Sequence, residues 1–208
     1  MSQAAKLDLE DEILTMGIWD ATEVEVKDEG LRRYINLENV LEPRSKGRHQ
    51  DKQFYKSDVA ITERVLNRMY TAGHRGDKHL ITSGHNVGNS ERLWNTLEET
   101  FHIIEDERNQ NPIQVLVDAI CNSGPREEVV TYQRGGTRAR KAVIVSPQRR
   151  VDLALRLLVQ GAYEKRLEED DSAAQVLADE LMLAADEDDD ARAVREAQRK
   201  EREAEGAR

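Results

Sequence analysis

Between Arg126 and Arg150 the chain carries seven basic residues and only two acidic ones. Arg134, Arg138, Arg140 and Lys141 surround the pair Gly135–Gly136. Arg126 precedes them, and Arg149 and Arg150 come after. A guanidinium stays charged, is weakly hydrated and forks onto phosphate through two hydrogen bonds. A second island, residues 44–79, holds nine basic and four acidic residues. It opens with Arg44, Lys46, Arg48, Lys52 and Lys56, interleaved with Phe54 and Tyr55. The whole chain has a net charge of -10, so two islands of opposite sign are the footprint of a polyanion partner. The alternative for the same residues is pairing with the chain's own carboxylates. The basic residues divide into 22 Arg and nine Lys, which favours forked phosphate contacts.

Other chemistry finds little support. His74, His79 and His85 share one glycine-rich stretch, but a loose loop does not fix metal-ligand geometry, so no metal or cofactor is expected. Cys121 comes after Ile120 on the apolar side of a helical pattern and reads as core packing rather than a reactive thiol. Arg134-Gly-Gly-Thr137 lacks the strand–loop–helix context and the Lys-Ser/Thr of a phosphate-binding loop. No catalytic constellation is recognisable, and no small-molecule substrate is expected.

The elements that must position the basic residues are set by periodicity. Val129, Val130 and Tyr132 before Gly135–Gly136, with Val143 to Val145 after, predict a β-hairpin over about 127–146. Ser146-Pro147 predicts the start of a helix with the stripe Val151, Leu155, Leu158 and Ala162. There a cation in the first turn opposes the helix dipole, so an anion near Arg149 and Arg150 would relieve them. Ser57 is expected to cap a helix carrying Ile61, Val65, Leu66 and Met69. Ser90 starts another with Leu93, Leu97, Phe101 and Ile104. Asn111-Pro112, with Gln114 completing a capping box, starts one with Ile113, Leu116, Val117 and Ile120. Ser172 and Gln175 form a second capping box. The last stretch, Ala191 to Glu205, is helix-prone with almost no apolar face. Gly73 to Asn89 is expected to be a loop. The fold class is therefore mainly α: a single bundle of about six helices with a projecting two-stranded hairpin. The expected divisions are an acidic N-terminal arm over 1–43, a core over 44–185 and an acidic C-terminal helix or tail over 186–208.

Composition narrows the class further. Aromatic residues make up only 4%, which leaves little filler for two independent cores. No apolar run approaches the roughly 20 residues of a membrane helix, and Met1 to Asp11 lacks the order of a signal peptide. One cysteine excludes an internal disulfide. An acid-rich, Lys-poor surface suggests a host with concentrated salt.

The segments Asn111-Pro-Ile-Gln-Val-Leu-Val117, Ser123-Gly-Pro-Arg-Glu127 and Val145-Ser-Pro-Gln-Arg-Arg-Val-Asp-Leu-Ala-Leu155 resemble the small-subunit ribosomal protein seven family in its archaeal and eukaryotic form. Tyr34-Ile-Asn-Leu37, Gly47-Arg-His49, Phe54-Tyr-Lys56, Gly161-Ala-Tyr163 and Ala178-Asp-Glu-Leu181 extend the likeness over most of residues 18–208. The resemblance implies a cytoplasmic ribosomal component that binds small-subunit rRNA directly and nucleates assembly of the subunit head. It would lie at the subunit interface near the decoding region and exit-site tRNA, beside ribosomal proteins nine and eleven. Carried over by position, the rRNA contacts would be Arg44, Lys46, Arg48, Lys52, Lys56, Arg126, Arg134, Arg138, Arg140, Lys141, Arg149 and Arg150. The tip Gly135, Gly136, Thr137 and Arg138 would lie near exit-site tRNA. Two departures stand out: Gly88-Asn89-Ser90 replaces a basic signature, with Arg75 and Lys78 nearby, and the C-terminal helix is more acidic than in the family. A reading from another class is a DNA-architectural protein with a basic β-arm.

Overall fold

The computed structural model describes residues 13–75, 78–79, 89–168 and 170–208. Three short 3-10 turns, Arg32–Tyr34, Arg48–Gln50 and Tyr55–Asp58, precede the first helix, α1 (Ile61–Met69). A two-residue pair, β1 (His74–Arg75) with β2 (Lys78–His79), lies at the start of the stretch expected to be loop; residues 80–88 lie outside the described residues. Then come α2 (Ser90–Arg108), α3 (Pro112–Ser123), a hairpin of β3 (Glu127–Arg134) and β4 (Thr137–Ile144), α4 (Pro147–Glu168), α5 (Ala173–Ala185) and α6 (Arg192–Glu205). The architecture is the mainly α bundle with one projecting hairpin that the patterns predict.

The bundle closes around α3, whose Ile113, Leu116, Val117 and Ile120 are wholly buried among Leu97, Phe101 and Ile104 of α2. Asn111 caps α3 by accepting from Ile113 N at 3.0 Å, with Pro112 in the first turn. Ser172 caps α5 by accepting from Gln175 N, and Asn89 caps α2 by accepting from Arg92 N. Gln114 does not close a capping box: its amide brackets the backbone of Glu25, accepting from N at 2.9 Å and donating to O at 3.0 Å. Ser57 is not a cap either. It is buried in the turn before α1, which starts only after Ala60. Cys121, expected in the core, is only partly buried against it, and that burial raises the pKa of its thiol.

Residues 13–43 do not form the extended arm expected of them. Met16, Trp19, Val24, Val26, Leu31 and Ile35 are buried in the same core as the helices. Trp19 meets Phe101 edge to face at 5.3 Å, and its indole N–H donates to Glu105 at 3.0 Å. The segment runs over the bundle in turns, so its buried residues obey neither a helical nor a strand period. The last helix also has an apolar face, built from small residues: Ala193, Val194, Ala197 and Ala204 are buried.

A buried carboxylate seats α6. Glu180 of α5 is fully buried; it accepts from Ala193 N at 2.8 Å and faces Lys165 Nζ at 2.9 Å. Gly161 of α4 makes room for it, because a Cβ there would stand 2.7 Å from Glu180 Oε1 and 3.1 Å from Arg192 Cβ.

The hairpin runs in register from Glu127 opposite Ile144 to Arg134 opposite Thr137. Its two-residue turn has φ of 57° at Gly135 and 85° at Gly136, the left-handed pair that a type I′ turn demands. None of its described side chains is buried, so it projects from the bundle. Its base is clamped. Glu128 takes Arg149 of α4 through both oxygens, at 2.5 and 2.8 Å. Arg208 Nη2 reaches both oxygens of Glu127 at 2.7 Å, and Glu201 of α6 accepts from Arg126 N at 2.7 Å.

Two outcomes are expected. Gly161→Ala should destabilise the protein by about 1–3 kcal/mol, as overpacking does, with less effect in a Glu180→Asp background where the shorter side chain leaves room. Denaturant midpoints at unchanged m-value check this. The Arg149 hydrogen bonds hold the Glu128 carboxyl below its ordinary pKa, against the opposing effect of burial. The stabilisation from that pair is therefore full above the ordinary carboxylate value of about 4.3 and is lost as pH falls through the lowered one. The midpoint difference between the parent and Glu128→Gln should vanish in acid. A difference constant with pH would exclude the pair as its source.

Candidate nucleic-acid interface

The two basic islands reach the surface in different ways. Arg138 and Arg140 stand opposite Gln133 and Thr131, so alternation puts both on one face of the hairpin, while Lys141 opposite Val130 points to the other. All three are exposed and make no ion pair among the described residues. The backbone of Arg134 closes the turn opposite Thr137; its side chain lies outside the described part. Arg126 is exposed at the foot of the hairpin.

Arg149 and Arg150 find their relief inside the molecule. Arg149 is held by Glu128 but keeps 54% of its side chain exposed. Arg150 keeps only 11%; it donates to Asp28 Oδ2 at 2.8 Å and, at a longer 3.4 Å, to Gly124 O. Burial works to raise the Asp28 pKa, but the Arg150 hydrogen bond and charge outweigh it and the carboxyl titrates low. The anion inferred from the helix dipole is thus, for Arg150, a carboxylate of the N-terminal segment.

The residues before α1 form a knuckled loop. Gly47 at φ of 79° and Phe54 at φ of 73° start its last two 3-10 turns. Ser45 pins it to α1, its N and Oγ bonding Glu63 at 2.9 and 2.6 Å. Lys46, Arg48 and Lys52 are exposed, and Lys52 Nζ lies 5.2 Å from the centroid of the Tyr55 ring. Arg44 leans loosely on Glu42 at 3.4 Å. Lys56 bonds Asp152 Oδ2 at 2.6 Å.

Between this loop, α1 and the start of α4 lies a cleft of about 560 Å³ that joins the two islands. Arg64 and Arg68 line it from α1, and Arg149, Asp152 and Arg156 from α4. Arg64 is buried; its two terminal nitrogens donate to Tyr34 O at 2.6 Å and Asp152 Oδ1 at 3.0 Å. Burial lowers the pKa of Arg68 and Arg156. Repulsion adds to this, from Arg156 on Arg68 and from Arg149 on Arg156. Sequence reasoning missed all three of Arg64, Arg68 and Arg156, because they sit inside helices whose apolar stripes drew the attention. The signal was there: Arg64 and Arg68 are spaced i, i+4, and Arg149, Asp152 and Arg156 are spaced i, i+3, i+7.

Among the described residues no three His, Cys, Asp or Glu converge on a metal site, and no helix is long and apolar enough to cross a membrane. His85 lies outside the described residues, as does Gly88 of the stretch expected to replace a basic signature.

Known proteins are similar to this sequence over most of its length. A family model described as ribosomal protein S7p/S5e matches residues 31–208. The small ribosomal subunit protein uS7 of Nanoarchaeum equitans is 46% identical over 168 residues, covering 81% of this chain and 85% of that protein. The protein of the same name from Methanosphaera stadtmanae is 40% identical, covering 91% and 95%. That from Haloarcula marismortui is 42% identical, covering 92% and 87%. A projecting basic hairpin on a helical bundle, a family match over residues 31–208 and these identities lead to one conclusion: the chain belongs to the ribosomal protein S7p/S5e family, whose members are structural proteins and not enzymes.

Proposed function

We propose that the protein is a structural component of the small ribosomal subunit that binds its rRNA directly, nucleates assembly of the subunit head and resides with the ribosome in the cytoplasm. The observation that carries the RNA contact is the hairpin. It projects, none of its described side chains is fully buried, and it presents Arg138 and Arg140 on one face with no carboxylate among the described residues in pairing distance. Lys46, Arg48 and Lys52 supply the second exposed set, and the cleft connects the two. Phosphate contacts of this kind position a protein on RNA without reading bases. Arg149 can reach RNA because it is half exposed, and Arg150 acts as a positioning residue that fixes α4 on the N-terminal segment.

The family likeness supports a place near the decoding region, with Gly135, Gly136, Thr137 and Arg138 at the tip toward exit-site tRNA. It also supports ribosomal proteins nine and eleven as neighbours. Gly135 and Gly136 have open space around them, which suits a tip that approaches another backbone closely.

Two experiments test the reading. In filter binding to a small-subunit rRNA fragment, Arg138→Ala with Arg140→Ala should weaken affinity. It should also reduce the slope of log affinity against log salt by about 0.7–0.9 per lost phosphate contact. An unchanged slope removes the hairpin from the interface. The chain's 41 acidic residues against 31 basic ones also fit a host with concentrated salt. Between about 0.01 M and 1 M monovalent salt the Debye length falls from roughly 30 Å to 3 Å, so the melting temperature should rise as carboxylate repulsion is screened. A flat or falling curve overturns the saline-host reading and leaves the ribosomal one standing.

A further inference from the structure

The cleft between the loop, α1 and α4 contains more cations than its carboxylates neutralise. Asp152 takes Lys56 and Arg64, and Glu128 takes Arg149. Arg68 and Arg156 remain, with no carboxylate in pairing distance among the described residues. The buried Nε atoms of Arg64 and Arg68 also lack an acceptor there. A concave site with surplus half-buried guanidiniums is built for an anion, because a phosphate would supply acceptors where water is sparse.

An aromatic ring lines the same cleft. Phe54 has 59% of its surface exposed and holds φ at 73°, a left-handed conformation that is an outlier for a bulky residue. Strain of this kind persists where the surroundings impose it, and it is concentrated at ligand sites. The neighbouring Tyr55 already has Lys52 against its face, which leaves Phe54 as the open ring. Anion-binding groups beside an open aromatic face match the two halves of a nucleotide whose base is out of the stack. The volume, about 560 Å³, is of the order that small-ligand sites occupy.

We infer that this cleft receives one unstacked nucleotide of a single-stranded or bulged RNA segment, its phosphate between Arg68 and Arg156 and its base against the ring of Phe54. The inference rests on the RNA-binding reading above and adds to it a requirement for unpaired structure at one point of the RNA. A-form duplex keeps its bases stacked and offers none to the ring.

The test uses the full chain and three probes: a short single-stranded oligoadenylate, a blunt duplex RNA and inorganic phosphate. Phe54→Leu keeps an apolar side chain and removes the stacking face. It should weaken oligoadenylate binding about 5- to 150-fold, the range for one base–aromatic stack, and leave duplex and phosphate binding unchanged. Arg68→Ala with Arg156→Ala should weaken both oligoadenylate and phosphate. Phe54→Gly, which also removes the backbone strain, should bind oligoadenylate as weakly as the Leu variant without melting earlier, so that loss of binding is not loss of fold. Equal effects of Phe54→Leu on single strand and duplex, or silence of either the Phe54 or the arginine variants, overturn the inference. The small-subunit rRNA fragment separates the two readings. Binding of the fragment with silent cleft variants removes the cleft alone, whereas oligoadenylate binding with the expected variant pattern but no fragment binding upholds the cleft and removes the ribosomal reading.

Discussion

The carboxylate of Asp152 is where the bundle and the basic surface meet. One oxygen accepts from Arg64 of α1 and the other from Lys56 of the preceding loop, while Arg64 reaches on to the carbonyl of Tyr34. Four separate parts of the chain are tied at this one group: the N-terminal segment, the loop, α1 and α4. Arg64 is almost wholly desolvated, so without Asp152 it would be an unpaired buried cation, a loss of roughly 3–5 kcal/mol in comparable cases. The same carboxylate sets the charge of the cleft by withdrawing two cations from service.

Competition between the chain's own acids and an external polyanion then sorts the remaining basic residues by burial. An exposed ion pair is worth about 0–1 kcal/mol, little enough for a phosphate to replace it. Arg149, 54% exposed, comes nearest to that class, although the carboxylate it grips with a fork of two hydrogen bonds is itself largely buried. Arg150 and Arg64 lie outside it, since their own side chains are only 11% and 3% exposed and are out of reach of an external phosphate. Identical side chains next to one another in sequence, Arg149 and Arg150, thus have opposite roles. One is a contact in waiting, and the other is part of the frame.

The helices and the hairpin were legible because their signals are local. Asn111-Pro112, Ser172, Gly135–Gly136 and the apolar stripes of α2, α3 and α4 each act within a few residues. The exposed hairpin arginines were legible for the same reason. The N-terminal segment was not, because Trp19 is buried by Phe101 and Glu105, far along the chain, and Val24 and Val26 sit in turns that impose no period. The face of α6 escaped notice because alanines carry it. The cleft was half legible: Lys56 and Arg149 were expected at the surface, but the arginines between them appear only when α1 is laid against α4. Whether a cation is paired or open depends on which distant carboxylate folds beside it, and no local pattern records that.

The base of the hairpin depends on residues made after it. Arg126 N bonds Glu201, Glu127 takes Arg208, and α6 is itself seated by Glu180. Synthesis delivers the strands first and their fastenings last. A nascent chain that has released β3, β4 and the start of α4 but not α6 therefore has the Glu128–Arg149 pair and the bond from Val145 N to Arg126 O at the base of the arm, but not the contacts from Glu201 and Arg208. The remaining fastenings of the base form only when α6 docks. The foot of the basic arm is in this way completed by a carboxylate 75 positions further along the chain.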